Sequence, residues 1–378
     1  GLQGRRIDQA QLPTQNLVFL LDVSGSMNAS NKLPLVQRSL RLLVNQMRPQ
    51  DRIAIVVYAG AAGLVLPSTP GHQKDSIMAA LAALEAGGST AGGEGIRLAY
   101  QQAREHFMDG GNNRIILCTD GDFNVGVSSE EGLTALIEEK RATGIFLTVL
   151  GFGTGNYQDA RMELLADKGN GNYAYIDNIL EAKKVLISEM GGTLQTIAKD
   201  VKLQVEFNPA HVSAYRLIGY ENRLLAAEDF NDDAKDAGEL GAGHTVTALY
   251  EIVPAVAASP VSIDTLRYQG RSLHATKGLD AELLTIKFRY KAPQGSESQL
   301  ITHPLNDQHT DLNRTSDNFR FSAAVAAFGM LLRDSEHKAS ANTDQVLQLA
   351  RNAKGKDRHG YRAEFIRMVE TYQLLASE

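Results

Sequence analysis

Four apolar runs, at residues 17–21, 53–58, 115–118 and 145–150, are continuous rather than alternating. A half-exposed strand alternates and one covered on both faces does not, so each run predicts a strand sandwiched between helices. The segments between them carry the helical period. Val36, Leu40, Leu43, Val44 and Met47 fall at i, i+4, i+7, i+8 and i+11, and Pro34 fits the first turn, where a backbone N–H needs no partner. Ile77, Leu81 and Leu84 repeat the spacing, as do Ile96, Tyr100, Ala103 and Phe107, and then Leu133, Leu136 and Ile137. Strands alternating with helices predict a mostly parallel α/β sheet flanked by helices over residues 14–192, closing with a short strand at 172–176 and a helix at 179–190.

From residue 197 the period changes. Val201, Leu203, Val205 and Phe207 alternate with Lys202, Gln204 and Glu206, the period of a half-exposed strand. Residues 245–253 and 283–290 read alike, so an antiparallel β-domain is expected over 197–305. Beyond it, Phe321, Val325, Phe328 and Leu332, and later Phe365, Met368, Tyr372 and Leu375, return to helical spacing and define a helical segment at 315–378. An apolar stripe of that size is an association liability when exposed, so these helices are expected to pack on the β-domain or across its junction with the α/β domain. A chain of 378 residues has room for two or three such cores.

Charge excludes some functions. Lys and Arg number 38 against 44 Asp and Glu, a net charge of −6, so no global field favours nucleic acid or an anionic membrane. The single cysteine, Cys118, cannot form an internal disulfide, and zinc-type Cys/His spacing is missing. No apolar run reaches the roughly 18 residues of a membrane span. The chain starts at Gly1 without an initiator methionine, which leads us to expect a signal or anchor segment ahead of it.

The chemistry gathers where strands end. The first run leads directly into Asp22-Val23-Ser24-Gly25-Ser26, and in an open α/β sheet ligands bind outside the carboxyl ends of the strands. Asp22, Ser24 and Ser26 alternate along a chain that Gly25 allows to bend, so their oxygens converge. Oxygen donors suit a hard cation such as Mg²⁺, which takes near-octahedral geometry and keeps several waters; thiolates and imidazoles, the ligands of zinc or copper, are missing nearby. The run at 115–118 leads into Thr119-Asp120-Gly121, which puts a second carboxylate at the same edge. The glycine-rich stretch 87–93 enters a helix and is placed to deliver the Thr90 hydroxyl.

These residues resemble the von Willebrand factor type A domain with its metal-ion-dependent adhesion site, whose pattern is Asp-x-Ser-x-Ser, a loop threonine, and an aspartate in a Thr-Asp-Gly strand end. The resemblance implies that Ser24 and Ser26 bind metal directly, that Thr90 joins when ligand is bound, and that Asp22 and Asp120 act largely through water. It implies Mg²⁺, with Mn²⁺ or Ca²⁺ as substitutes, and a protein partner whose carboxylate fills the open position. Residues 58–63, 121–126, 219–223 and 361–365 further resemble a bacterial subfamily with a C-terminal domain of undefined function, often made as an envelope lipoprotein. That resemblance implies a cell-envelope location, periplasmic or membrane-anchored, with a lipid anchor on the preceding segment; a cytoplasmic location is the alternative.

Catalytic readings fail on the residues. An aspartyl-phosphate hydrolase needs a second carboxylate two residues after Asp22, where Ser24 stands. A serine nucleophile needs a histidine base, and none of the nine histidines lies in a strand-end motif. Residues 151–156 lack the final glycine of a dinucleotide loop. Asp229, Asn231 and Asp233 begin like a calcium loop, but Ala234 and Leu240 stand where its glycine and glutamate belong. A non-enzymatic, cation-dependent interaction module is the expectation, with a regulatory subunit of a cytoplasmic ring ATPase as the alternative.

Overall fold

The computed structural model describes residues 1–8, 11–59, 61–88, 92–121, 130–154, 158–188, 196–221, 224–235, 237–255, 281–293 and 295–376. A two-residue strand, β1 (Leu2–Gln3), precedes β2 (Gln15–Asp22), which is buried from Asn16 onward. There follow α1 (Leu33–Gln46), β3 (Arg52–Tyr58), β4 (Ala62–Pro70), α2 (Lys74–Ala82), α3 (Gly92–Glu105), β5 (Asn112–Thr119), α4 (Glu130–Ala142), β6 (Ile145–Phe152), α5 (Asp159–Lys168), β7 (Tyr173–Ile176) and α6 (Ile179–Lys183). The expected helix at 179–190 is described as far as Ser188, with a π-helical turn at Lys184–Ser188 continuing α6; residues 189–190 lie outside the described residues.

The reason the apolar runs do not alternate is now visible. In β2, Leu17, Phe19 and Leu21 face α1, α2 and α6, while Val18 and Leu20 face α3, α4 and α5. In β5, Ile116 and Cys118 take the first side and Ile115 and Leu117 the second. The sheet order is β4-β3-β2-β5-β6-β7, parallel throughout except for β4, which folds back antiparallel on β3. Pro67 within β4 is tolerated because β4 is an edge strand with no neighbour to receive its missing N–H. From β2 the chain proceeds outward to β3, and β5 lies on the opposite side of β2, so the β2/β5 crevice is the topological switch point.

The remaining described strands pair antiparallel, as expected for 197–305. Strands β8 (Thr196–Phe207), β9 (Val212–Ile218), β10 (Gly238–Gly241), β11 (Thr245–Val246), β12 (Leu249–Pro254), β13 (Glu282–Lys291) and β14 (Ser298–Asn306) form a four-stranded sheet ordered β10-β8-β13-β14, a β9/β12 pair and a pair of β11 with β1. The expected strand at 245–253 is divided between β11 and β12. β11 receives β1, Leu2 opposite Val246, so the α/β sheet lies between two segments that meet in the second part of the chain. A two-residue strand has no period, and nothing in the sequence announces this pairing. Arg114, near the start of β5, is fully buried: its guanidinium donates to Thr148 Oγ1 at 2.8 Å and lies over the Phe146 ring, both on β6. Burial pulls its pKa down to about 10, with Glu239 on β10 acting in the opposite direction.

The C-terminal segment forms helices α7 (Asp317–Leu332), α8 (Thr343–Asn352) and α9 (Tyr361–Leu375). They build a core of their own from Ala324, Phe328, Val346, Leu347, Ala350, Ile366 and Val369, with Phe321, Phe365 and Tyr372 packed against it. Phe328 meets the rings of Phe365 and Tyr372 edge-on, at 5.7 and 5.4 Å. Met368 and Leu375 are exposed, because at 100° per residue the buried seam of α9 centres on residues 365, 366, 369 and 372 and leaves 368 and 375 on its flank. Among the described residues, Arg333 pairs with Glu221, Arg216 reaches Met330 Sδ, and Lys184 lies over Tyr361. Phe328→Ala is therefore expected to cost about 3–5 kcal/mol, read as early loss of the helical unit in hydrogen exchange while amides of β2 and β5 keep their protection.

Candidate metal centre

Asp22 is the last residue of β2 and Tyr58, its register partner, the last of β3. Thr119 ends β5 on the other side. The strand ends thus surround the Asp22 carboxylate, which is fully buried. Its Oδ1 accepts from the Ser24 amide at 2.9 Å, and its Oδ2 from the hydroxyls of Tyr58 at 3.2 Å and Thr119 at 3.3 Å. Burial raises the Asp22 carboxyl above the ordinary aspartate range, a tendency that hydrogen bonds from Ser24 oppose and the charge of Asp120 reinforces. Burial also raises the Tyr58 phenol far above its usual value, so the phenol stays protonated and keeps donating.

The chain then turns. Ser24 is buried and Ser26 exposed, and their Oγ atoms lie 3.0 Å apart. Two neighbouring ligands at about 2.1 Å from an octahedral ion are separated by about 3.0 Å, so the spacing fits Mg²⁺. Asp120, immediately beyond β5, is buried and accepts at Oδ2 from the Lys32 ammonium at 2.8 Å. The structure thus brings Asp22, Ser24, Ser26 and Asp120 to one edge. Thr90 lies outside the described residues. The chain leading to it is fastened to the turn, Gly87 N donating to Val23 O at 2.7 Å and Gly25 N to Gly88 O at 3.1 Å. On the far side α3 comes close: a Cβ on Gly95 would stand 2.8 Å from Tyr58 Cβ, so the glycine lets the helix approach.

Tyr58, Thr119, Lys32 and Gly95 were not foreseen as site residues. Tyr58 and Thr119 had a signal, since both close apolar runs at the edge that carries Asp22. Lys32 had none, standing in a polar loop. Among the described residues no three His, Cys, Asp or Glu side chains gather in a metal-binding group; hydroxyls complete the donor set here. The calcium-like segment at 229–235 needs no ion: Lys202 Nζ donates to the carbonyls of Asp229 and Asp232, and Lys291 Nζ to that of Asp233. No described helix is long and apolar enough to cross a membrane.

Comparison with known proteins agrees with this architecture. Residues 16–186 match the family described as von Willebrand factor type A domain, and residues 192–375 the one described as "Uncharacterized protein YfbK, C-terminal". YfbK of Escherichia coli K12 is 50% identical over 360 residues, which cover 95% of this chain and 62% of that protein. The chain thus spans less than two thirds of its relative. Protein sll0103 of Synechocystis is 31% identical over 169 residues, 44% of this chain and 39% of that one. A solved von Willebrand factor type A protein from Catenulispora acidiphila aligns with 91% of this chain and 81% of its own at 14% identity, with a TM-score of 0.48. Domains of the type A family serve protein interaction or adhesion and often bind a divalent metal. This chain thus carries a von Willebrand factor type A domain over residues 16–186, followed by the C-terminal region found in YfbK.

Proposed function

We propose that the chain is a non-enzymatic, divalent-cation-dependent interaction module that captures an acidic side chain of a protein partner. Ser24 and Ser26 would hold Mg²⁺ directly, with Thr90 joining from its loop and Asp22 and Asp120 balancing the charge from behind. When bound, the ion supplies a Lewis-acidic position for a carboxylate from outside. The observation that carries the reading is the pair of serine oxygens, 3.0 Å apart beside a buried carboxylate at the topological switch point. Oxygen donors favour Mg²⁺ and Mn²⁺ over Zn²⁺. The reading divides the chain at 14–192, 197–305 and 315–378, supported by separate apolar clusters. It places the protein in the cell envelope, on the resemblance alone.

Calorimetric titration tests the site. Mg²⁺ is expected to bind, and a Ser24→Ala, Ser26→Ala double variant to lose that binding while its melting temperature in EDTA stays within about 2 °C of the parent, since neither hydroxyl sits in an apolar core. An unchanged Mg²⁺ isotherm in the double variant removes the serines from the metal. Capture of the partner from a lysate should be lost with EDTA and restored by Mg²⁺.

A further inference from the structure

Lys32 is the ammonium that reaches the metal centre. Its Nζ lies 2.8 Å from Asp120 Oδ2, and the two side chains are only 16% and 4% exposed. The stem has a fitted seat. Gly153 follows β6 with φ of +84°, and a Cβ there would stand 2.7 Å from Lys32 Cγ and 3.0 Å from Cδ. The missing side chain is the space through which the lysine passes. The backbone is fixed as well, since the Lys32 carbonyl accepts from the amides of Leu35 and Val36 in the first turn of α1.

The charges give this pair a consequence. Asp22 and Asp120 are two buried carboxylates close enough for the charge of one to act on the other. The ammonium offsets one of those two charges without any metal. A divalent ion entering the same edge meets a site already half neutralised, and repulsion from a fixed cation that is itself shielded from water. We infer that Lys32 is a tethered counter-cation that holds Asp120 while the metal is absent, and so weakens and tunes the affinity for the divalent ion. The inference rests on the metal-centre reading above and adds a regulating residue to it. A partner that draws Lys32 away from Asp120 would strengthen metal binding, which couples partner and ion.

The test uses the whole chain, with Mg²⁺ titrated calorimetrically into the parent, Lys32→Met and Lys32→Gln. Methionine keeps the stem in its seat, and glutamine keeps polarity without charge. Both variants are expected to bind Mg²⁺ roughly tenfold tighter than the parent, the effect of removing one nearby like charge. In EDTA both should melt below the parent, because two buried carboxylates have lost their counter-charge; with saturating Mg²⁺ that difference should shrink. Mg²⁺ affinity that is unchanged or weaker in both variants overturns the inference and leaves Lys32 a structural support. No Mg²⁺ binding in the parent or either variant overturns the metal-centre reading and the inference with it. Tighter binding in Lys32→Met alone would assign the effect to the lost hydrogen bond and overturn the charge argument.

Discussion

Lys202→Met is expected to lower the melting temperature of the C-terminal sheet by roughly 8–24 °C, at about 4 °C per kcal/mol for a unit of roughly 110 residues. Lys202 lies on β8 opposite Arg289 of β13 and is 3% exposed. Its ammonium donates to the carbonyls of Asp229, at 2.9 Å, and Asp232. Lys291 performs the same task alongside, donating to the Asp233 carbonyl at 2.7 Å and pairing with Asp200. The Asp233 carboxylate is held below its ordinary range by hydrogen bonds from Ser298 and then Arg289. An acidic segment is thereby closed over the polar face of the sheet by tethered cations. Methionine fills the same volume and donates nothing, which strands two carbonyls at about 1–3 kcal/mol each. Lys202→Arg should recover little, since a planar fork does not fit a seat built for an ammonium. Scanning calorimetry checks this, and an unshifted transition would mean that water satisfies both carbonyls once the lysine is gone.

The contrast between the strand-end edge and the acidic segment shows where sequence reasoning reaches and where it stops. Asp22, Ser24, Ser26 and Asp120 were legible because each lies within a few residues of an apolar run, and the run itself says which end of a parallel strand it closes. The acidic segment at 229–235 was judged by its faults as a calcium loop, and the ammoniums that hold its carbonyls come from strands distant in sequence. Lys32 and Gly153 escaped for the same reason: a lysine in a polar loop and a glycine after a strand acquire meaning only when 120 residues of intervening chain bring them together. The helical stripe was legible as a period but not as a phase. Phe365, Met368, Tyr372 and Leu375 and the observed seam through Ile366 and Val369 share the α-helical repeat, and only packing against Phe328 selects between them.

Asp22→Asn is expected to abolish Mg²⁺ binding, weakening it by roughly a hundredfold or more, and at the same time to stabilise the metal-free protein. The two effects have one cause. Asp22 is fully buried, and among the described residues its partners are neutral donors: the Ser24 amide and the hydroxyls of Tyr58 and Thr119. Desolvation dominates its ionisation and raises its pKa, so the fold bears a charge that only a bound cation would fully compensate. Asparagine keeps the acceptor for Ser24 and turns its amide toward two hydroxyls, each of which accepts as well as donates. The hydrogen bonds survive and the charge is gone. In EDTA the variant should therefore melt above the parent, by roughly 2–8 °C for a gain of about 1–2 kcal/mol. With saturating Mg²⁺ the order should reverse, because the parent gains the free energy of binding and the variant cannot. Leu43→Ala should behave oppositely, losing about 2–5 kcal/mol from the core under α1 while its Mg²⁺ isotherm is preserved. Should Asp22→Asn melt below the parent in EDTA, the carboxylate is a structural knot among three strand ends, and its charge was never held in reserve for a metal.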